Sequence, residues 1–213
     1  MKWHDHSKLE GTHALFSPSR SGWEKYNFDR MQTVYYNSFA QQIGTVLHRQ
    51  AERRISKRLR LHPEEKNSIR LALYDDPGIP DDVVDILDFE PMFINLMSYV
   101  NDAISFRMDP EIILYNNRFC YGTVDAISFI DNFLRIHDLK TGVTPAHMEQ
   151  LLKYAALFCL EYDVDPIDIQ SELRIYQLND VIIHTPDPAE LQEYCDIIMD
   201  INKLSNSVMV GGR

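Results

Sequence analysis

The chain has 213 residues, 45% apolar and 25% charged, with a formal net charge of −11. This length predicts one domain over 1–213 that buries about 70% of its unfolded surface and needs no disulfide or metal to fold. The composition excludes a disordered chain, and the longest apolar run, Tyr154 to Leu160, is far short of the roughly 20 residues of a membrane span.

Cys120, Cys159 and Cys195 form no Cys-x-x-Cys pair. With no apolar signal segment at the N-terminus, they read as reduced thiols of a cytoplasmic protein. The acidic total would discourage a nucleic-acid partner, but the charge is uneven. Arg49 to Arg70 holds eight bases against three acids, and Ala72 to Pro110 holds nine acids against one base. The total therefore says little about any one groove.

In chain order, Trp3, His4, His6 and His13 match no metal-site spacing and read as a mobile N-terminus. Ser17-Pro18-Ser19 marks a turn or helix start. Apolar residues at Phe39, Ile43, Val46, Leu47, Ala51, Ile55 and Leu59 predict a helix over 34–61, with Arg49, Arg53, Lys57 and Arg60 striping its other face. His62-Pro63 ends it. A helical segment at 63–106 comes next, in pieces at 63–74, 80–87 and 91–106. Three strands are expected at 111–115, 119–130 and 133–139, with turns at Asn116-Asn117 and Asp131-Asn132. A helix over 145–162, a hairpin of 172–178 and 181–184 around Asn179-Asp180, a helix over 187–204 and a loose tail at 205–213 complete the chain. The order describes one α/β (α+β) domain with a mixed sheet and a three-strand meander flanked by helices.

The chemistry concentrates in Gly122-Thr-Val-Asp125 and Asp138-Leu-Lys140-Thr-Gly142. Leu134, Ile136, Asp138 and Lys140 share one face of the third strand, so an apolar body ends in an acid and a base. Asp125 and Asp138 lie symmetrically about the Asp131-Asn132 turn, which sets them opposite each other. Two carboxylates there repel unless they share a cation, and hard oxygen ligands suit magnesium or manganese. A surface acid pair bridged by Lys140 is the alternative. Likewise His48 reads as a structural histidine or a ligand, Gln150 and Tyr154 as helix-face and core residues, the basic stripe as a solvated face, and Glu111 as a solvated strand end or a group facing the site.

The arrangement resembles the PD-(D/E)XK nuclease superfamily, and its RecB-like branch of helicase-linked nucleases, CRISPR adaptation nucleases and phage exonucleases above all. Gly44-Thr-Val-Leu-His48 resembles that branch's G-x-x-x-H motif, Asp125 with Asp138-Leu-Lys140 its acid and acid-x-Lys core, and Gln150-Leu-Leu-Lys-Tyr154 its Q-x-x-x-Y motif. The likeness covers about residues 15–185. It implies a restriction-endonuclease-like core and a magnesium- or manganese-dependent deoxyribonuclease. An exonuclease of recombination or replication is expected, phage-encoded and acting in a bacterial or infected cell. A structure-selective endonuclease and a nuclease-like DNA- or protein-binding module are the alternatives.

The resemblance assigns Asp125, Asp138, His48 and the Leu139 carbonyl to the metal. It assigns Lys140 to the attacking water or the phosphate, Gln150 and Tyr154 to orienting Lys140 or touching the DNA backbone, and Arg49, Arg53, Lys57 and Arg60 to phosphate contact. Glu52, one turn beyond His48, supports it. The cysteines that hold an iron–sulfur cluster in some relatives are missing, so none is expected, and no helicase motif is present. DNA is the expected partner, with a recombination or replication protein and a homo-oligomer as further candidates and no membrane.

Overall fold

The computed structural model describes residues 4–9, 14–20, 22–142 and 144–210, with side chains up to 203. Trp3 and His13 lie outside the described residues. Seven α-helices and five strands are described: α1 (Phe28–Asn37), α2 (Ala40–Ser56), α3 (Lys66–Tyr74), α4 (Asp81–Ile86), α5 (Phe89–Ser105), β1 (Asp109–Asn117), β2 (Cys120–Ile130), β3 (Phe133–Leu139), α6 (Glu149–Glu161), β4 (Gln170–Gln177), β5 (Asp180–His184) and α7 (Pro188–Val210). Ser17-Pro18-Ser19 is a turn, closed by Arg20 N–H on Ser17 O at 2.9 Å.

The expected long helix is two helices. Ser38 closes α1, its hydroxyl donating to Tyr35 O at 2.6 Å, a local bond that competes with helix continuation. Asn27 caps the start by accepting from Arg30 N–H at 2.9 Å. At its other end α2 stops at Ser56, because Arg58 turns left-handed (φ 55°) and Leu59 N–H reaches back to Arg54 O at 2.9 Å. This is a Schellman-type close, a position where glycine is usual. Arg58 tolerates it by donating to Met108 O at 2.6 Å. Lys57 and Arg60 therefore lie beyond the helix.

The strands form one mixed sheet in the order β1-β2-β3-β4-β5, antiparallel except for the parallel β3–β4 pair. That pair requires a crossover, which α6 supplies. Asp131 and Asn132, at φ 53° and 58°, make the tight turn between β2 and β3. The β4–β5 turn sits one residue earlier than expected, at Leu178-Asn179 (φ 53° and 61°), with Gln177 opposite Asp180. The β1–β2 turn falls after Asn117, because a bulge between Tyr115 and Asn117 adds a residue to β1.

Helix α6 starts at Glu149, not at Pro145. Buried Gln177 holds the preceding loop: it accepts from Ala146 N–H at 3.0 Å and donates to Gly142 O and Thr144 O, both at 2.7 Å. The final helix runs to Val210, so residues 205–210 are helical where a loose tail was expected. After Pro188 no glycine or proline interrupts α7 before Gly211.

Both faces of the sheet are covered, which is why β3 and β4 carry near-continuous buried runs. One core joins α2 to α5 with Ala126, Leu139 and Tyr176 of the sheet. The other joins α6 and α7 to Val124, Leu134, Ile136 and Leu173. Among the described residues, no helix is long and apolar enough to cross a membrane.

Helix α2 carries Gly44 and His48 against the sheet, so its seating fixes where both residues lie. Leu47, with no exposed surface, anchors it. Leu47→Ala should cost about 2–5 kcal/mol by cavity formation. Chemical denaturation measures this, and a loss below about 1 kcal/mol would show that α2 is not held by this contact.

Candidate functional site

Strands β2 and β3 stay paired from the turn only as far as Ala126 opposite His137. Continued by one residue, this register would pair Asp125 with Asp138, but the strands have parted there. β3 continues along β4, with Asp138 beside Ile175 and Leu139 beside Tyr176, while β2 continues along β1. The Asp125 carboxylate replaces the missing backbone partner, its Oδ2 accepting from Leu139 N–H at 2.9 Å.

His48 reaches the same point from α2. Its Nε2 lies 2.9 Å from Leu139 O, and a carbonyl only accepts, so Nε2 carries the proton. In the neutral ring Nδ1 then bears a lone pair, and it faces Asp125 Oδ2 at 3.6 Å. Two lone-pair atoms facing each other call for a proton or a cation between them. Glu111 of β1 completes the group. The ligand atoms of His48, Glu111 and Asp125 lie within 4.8 Å of one another. Glu111 sits in left-handed backbone at φ 54°, a conformation rare for a residue with a side chain.

Asp138 takes the other side of the strand and is not in that trio. Its Oδ1 accepts from Lys140 Nζ at 2.9 Å, and Lys140 Nζ also donates to Gln150 Oε1 on α6 at 3.1 Å. Among the described residues, Asp138 Oδ2 is buried with no hydrogen-bond partner. An orphaned, buried carboxylate oxygen is costly unless something outside the chain satisfies it. Of the expected ligand set of His48, Asp125, Asp138 and Leu139 O, His48 and Asp125 stand in the trio with Glu111. Asp138 is drawn toward Lys140, and Leu139 O already accepts from His48 with one lone pair left over.

The electrostatics agree with the geometry. Burial, then the Asp138 charge, pushes the Asp125 carboxyl up to about 6 against the offsets of His48, Leu139 N–H and Lys140. Burial likewise raises Asp138, with Lys140 opposing. Glu111 is raised by burial and by Asp125. In the absence of a cation the site is held at a cost.

Two glycines set the approach distances. A Cβ on Gly44 would lie 3.0 Å from Thr141 Oγ1, and one on Gly122 would lie 2.9 Å from Tyr154 Cε1 and 3.0 Å from its hydroxyl. Gly44 lets α2 close on the strand end, and Gly122 lets the Tyr154 ring lie against β2. Between α2 and the sheet edge is an open cleft of about 490 Å³ lined by His48, Glu111, Asp125, Thr123, Thr141, Arg49 and Glu52. Glu52 is thus at the cleft, as its position one turn from His48 suggests.

The basic stripe is shorter than its sequence pattern. Arg49 lines the cleft, 3.9 Å from Asp76 Oδ2 and largely exposed. Arg53, one turn on, is exposed. Arg60 is turned away, donating to Ser105 Oγ at 2.9 Å, and Lys57 is the residue that closes α2. Thr141, read in the sequence only as part of the Asp138-Leu-Lys140-Thr-Gly142 run, lines the cleft and lies against Gly44.

No protein-family model, curated protein or solved structure matches this chain.

Asp125→Asn tests whether the site waits for a cation. With its oxygen in the Oδ2 position the amide still accepts from Leu139 N–H. Without metal this variant should be more stable than the parent, by about 1–2 kcal/mol from removing a buried charge. Added Mg²⁺ or Mn²⁺ should raise the melting temperature of the parent only. Equal metal shifts in both proteins, or a variant destabilised in EDTA, would contradict it.

Proposed function

We propose that this chain is a divalent-metal-dependent DNA nuclease, of exonuclease type, on a restriction-endonuclease-like core of the PD-(D/E)XK kind. The observation that carries the reading is the convergence of Asp125, Asp138 and Lys140 where β2 parts from β3, with His48 and Gln150 delivered from helices on opposite faces of the sheet. A merely structural ion pair gives no reason to leave Asp138 Oδ2 buried and unpartnered. The mixed sheet, with its meander, crossover helix and parallel fourth strand, supports the core assignment.

Asp125, Asp138 and His48 would hold Mg²⁺ or Mn²⁺, with Glu111 and the remaining lone pair of Leu139 O at hand; oxygen-rich donors fit such hard cations. When bound, the cation supplies phosphoryl polarisation and a water of lowered pKa. Lys140, held between Asp138 and Gln150, places a positive charge where negative charge grows on the phosphate. Gln150 fixes that ammonium, and Tyr154 packs behind it against Gly122. Arg49 and Arg53 bind backbone phosphates, a contact that carries no sequence information. The setting in recombination or replication rests on the resemblance alone.

An end-labelled linear DNA, incubated with protein and Mg²⁺, is the primary test. Mononucleotides or a shortening ladder from linear DNA, with closed circular DNA intact, support an exonuclease. Cutting of closed circles supports the endonuclease alternative, and binding without cutting supports a nuclease-like module. Lys140→Ala and Asp138→Asn should each lower the rate about 10²–10³-fold or more with the fold retained by circular dichroism. Calcium should sustain binding and suppress cutting, since it is a looser, poorer Lewis acid. Undiminished cleavage in EDTA, or wild-type rates in Asp138→Asn, would remove the reading.

The basic residues give a separate readout. Arg49→Ala with Arg53→Ala should weaken DNA binding in calcium and flatten its dependence on log salt by up to about two phosphate contacts. An unchanged slope would return both to a solvated face.

A further inference from the structure

Two breaks between helices meet beside the strand end. One separates α1 from α2, with Tyr36 and Ala40 on either side of it. The other separates α4 from α5, where Leu87 and Asp88 run between the two helices. Between them lies a pocket of about 380 Å³, bounded by Lys140, Thr141 and Gly142 of the strand end. That volume is within the range of small-molecule sites, about 300–1,000 Å³. Ala40 and Thr141 line both this pocket and the cleft that holds His48, Glu111 and Asp125. The two spaces therefore adjoin, and one molecule can reach from the candidate cation site into the pocket.

The lining constrains the occupant. Ile43, Val83, Leu87 and Met92 make the walls mostly apolar, and Tyr36 adds an aromatic ring. A flat, uncharged body suits such walls. Asn95, only 5% exposed, lines the same pocket. Its Oδ1 accepts from Asn179 N–H at 2.9 Å, so the other end of the amide is the NH₂. Among the described residues that NH₂ has no partner. A hydrocarbon occupant would strip water from this donor and return nothing. The occupant must bring an acceptor into the pocket.

Charge narrows it further. Asp88 lines the pocket, and its carboxylate repels an anion from the interior. The adjoining cleft carries Arg49 beside the trio that could hold a cation. An anionic group therefore belongs in the cleft, and an uncharged, flat body with acceptor atoms belongs in the pocket. A nucleotide is divided in this way: a phosphate at one end, and at the other a base whose edge carries ring nitrogens and carbonyl oxygens. A fatty acid has the anion but offers nothing to Asn95 from its other end.

We propose that this pocket takes the base of the terminal nucleotide of the strand being cut, with the phosphate in the cleft and the Asn95 NH₂ on the base edge. The proposal rests on the nuclease reading and adds a base-binding pocket to it. A paired base cannot enter, so the terminal pair must first open, at a cost that is smallest for a mismatched base. Linear duplex with a mismatched end should therefore be cut faster than the same duplex with a matched end.

Isothermal titration in calcium reads the pocket directly. The probes are thymidine 5′-monophosphate and thymidine 3′-monophosphate, with deoxyribose 5-phosphate, which lacks the base, as the reference. At least one nucleotide should bind about 10-fold or more tightly than the reference, the contribution of one well-held base. Asn95→Asp keeps the acceptor for Asn179 N–H and loses the NH₂, and Met92→Trp fills the pocket. Each should weaken nucleotide binding about 5- to 100-fold, leave deoxyribose 5-phosphate binding unchanged, and lose the preference for a mismatched end. Circular dichroism checks the fold, and Met92→Trp alone decides if Asn95→Asp unfolds. A parent that binds nucleotide no better than the reference overturns the pocket, as do folded variants that keep the base preference. Cleavage of end-labelled linear DNA by the parent then leaves the nuclease reading standing. Laurate that binds in place of nucleotide, and no longer binds in Met92→Trp, assigns the pocket to an acyl chain and overturns the proposal as well. A parent that does not cut removes the nuclease reading and the proposal with it.

Discussion

The whole site depends on where β2 leaves β3. Antiparallel pairing ends at Ala126 and His137, and one residue later the two strands serve different neighbours. The parting frees the Leu139 amide and carbonyl, and these become the fixed points of the site: the amide donates to Asp125, and the carbonyl accepts from His48. Had the ladder run on to Val124 opposite Leu139, both groups would be spent on backbone bonds, and neither side chain would have a reason to be there. The parallel β3–β4 pair keeps β3 straight through the break, so Asp138 and Lys140 project toward α6 from a rigid strand end.

Close approach is the second constraint. The missing Cβ atoms of Gly44 and Gly122 admit Thr141 and the Tyr154 ring. The two helices that carry His48 and Gln150 can therefore reach the strand ends from opposite faces. Burial comes with the same closeness and raises Asp125, Glu111 and Asp138 together. A cluster of acids held so that each resists ionisation is a site organised around something positive, and Lys140 answers only part of that demand.

Much of this was legible in the sequence. The β2–β3 hairpin was readable because Asp131-Asn132 is a strong tight-turn signal flanked by apolar runs, and its symmetry is that of the observed register as far as Ala126 opposite His137. Helical periodicity set His48 and Gln150 only on helices, and it was their likeness to the G-x-x-x-H and Q-x-x-x-Y motifs that pointed them to the site. What was hidden has physical reasons. Helix α2 ends at an arginine in left-handed conformation, where only glycine would have announced the stop, so Lys57 and Arg60 looked like helix-face residues. The α1–α2 break comes from a serine side chain bonding its own helix, which leaves the apolar period intact. Period-2 arguments gave Asp138 the same face as Lys140, which is right, but could not say that this face turns it from Glu111. Glu111 itself was undecidable, because its position depends on a strained backbone angle that no residue type signals.

The central claim is that Asp125 and its neighbours form a cation site, not a buried salt-bridge cluster. The most direct measurement is an anomalous difference map from crystals soaked in Mn²⁺. A cation site predicts a peak within coordination distance of Asp125, with Asp138 or Glu111 and His48 completing its protein ligands. A map without density beside Asp125 at saturating Mn²⁺, from crystals in which Lys140 still bridges Asp138 and Gln150, would contradict it.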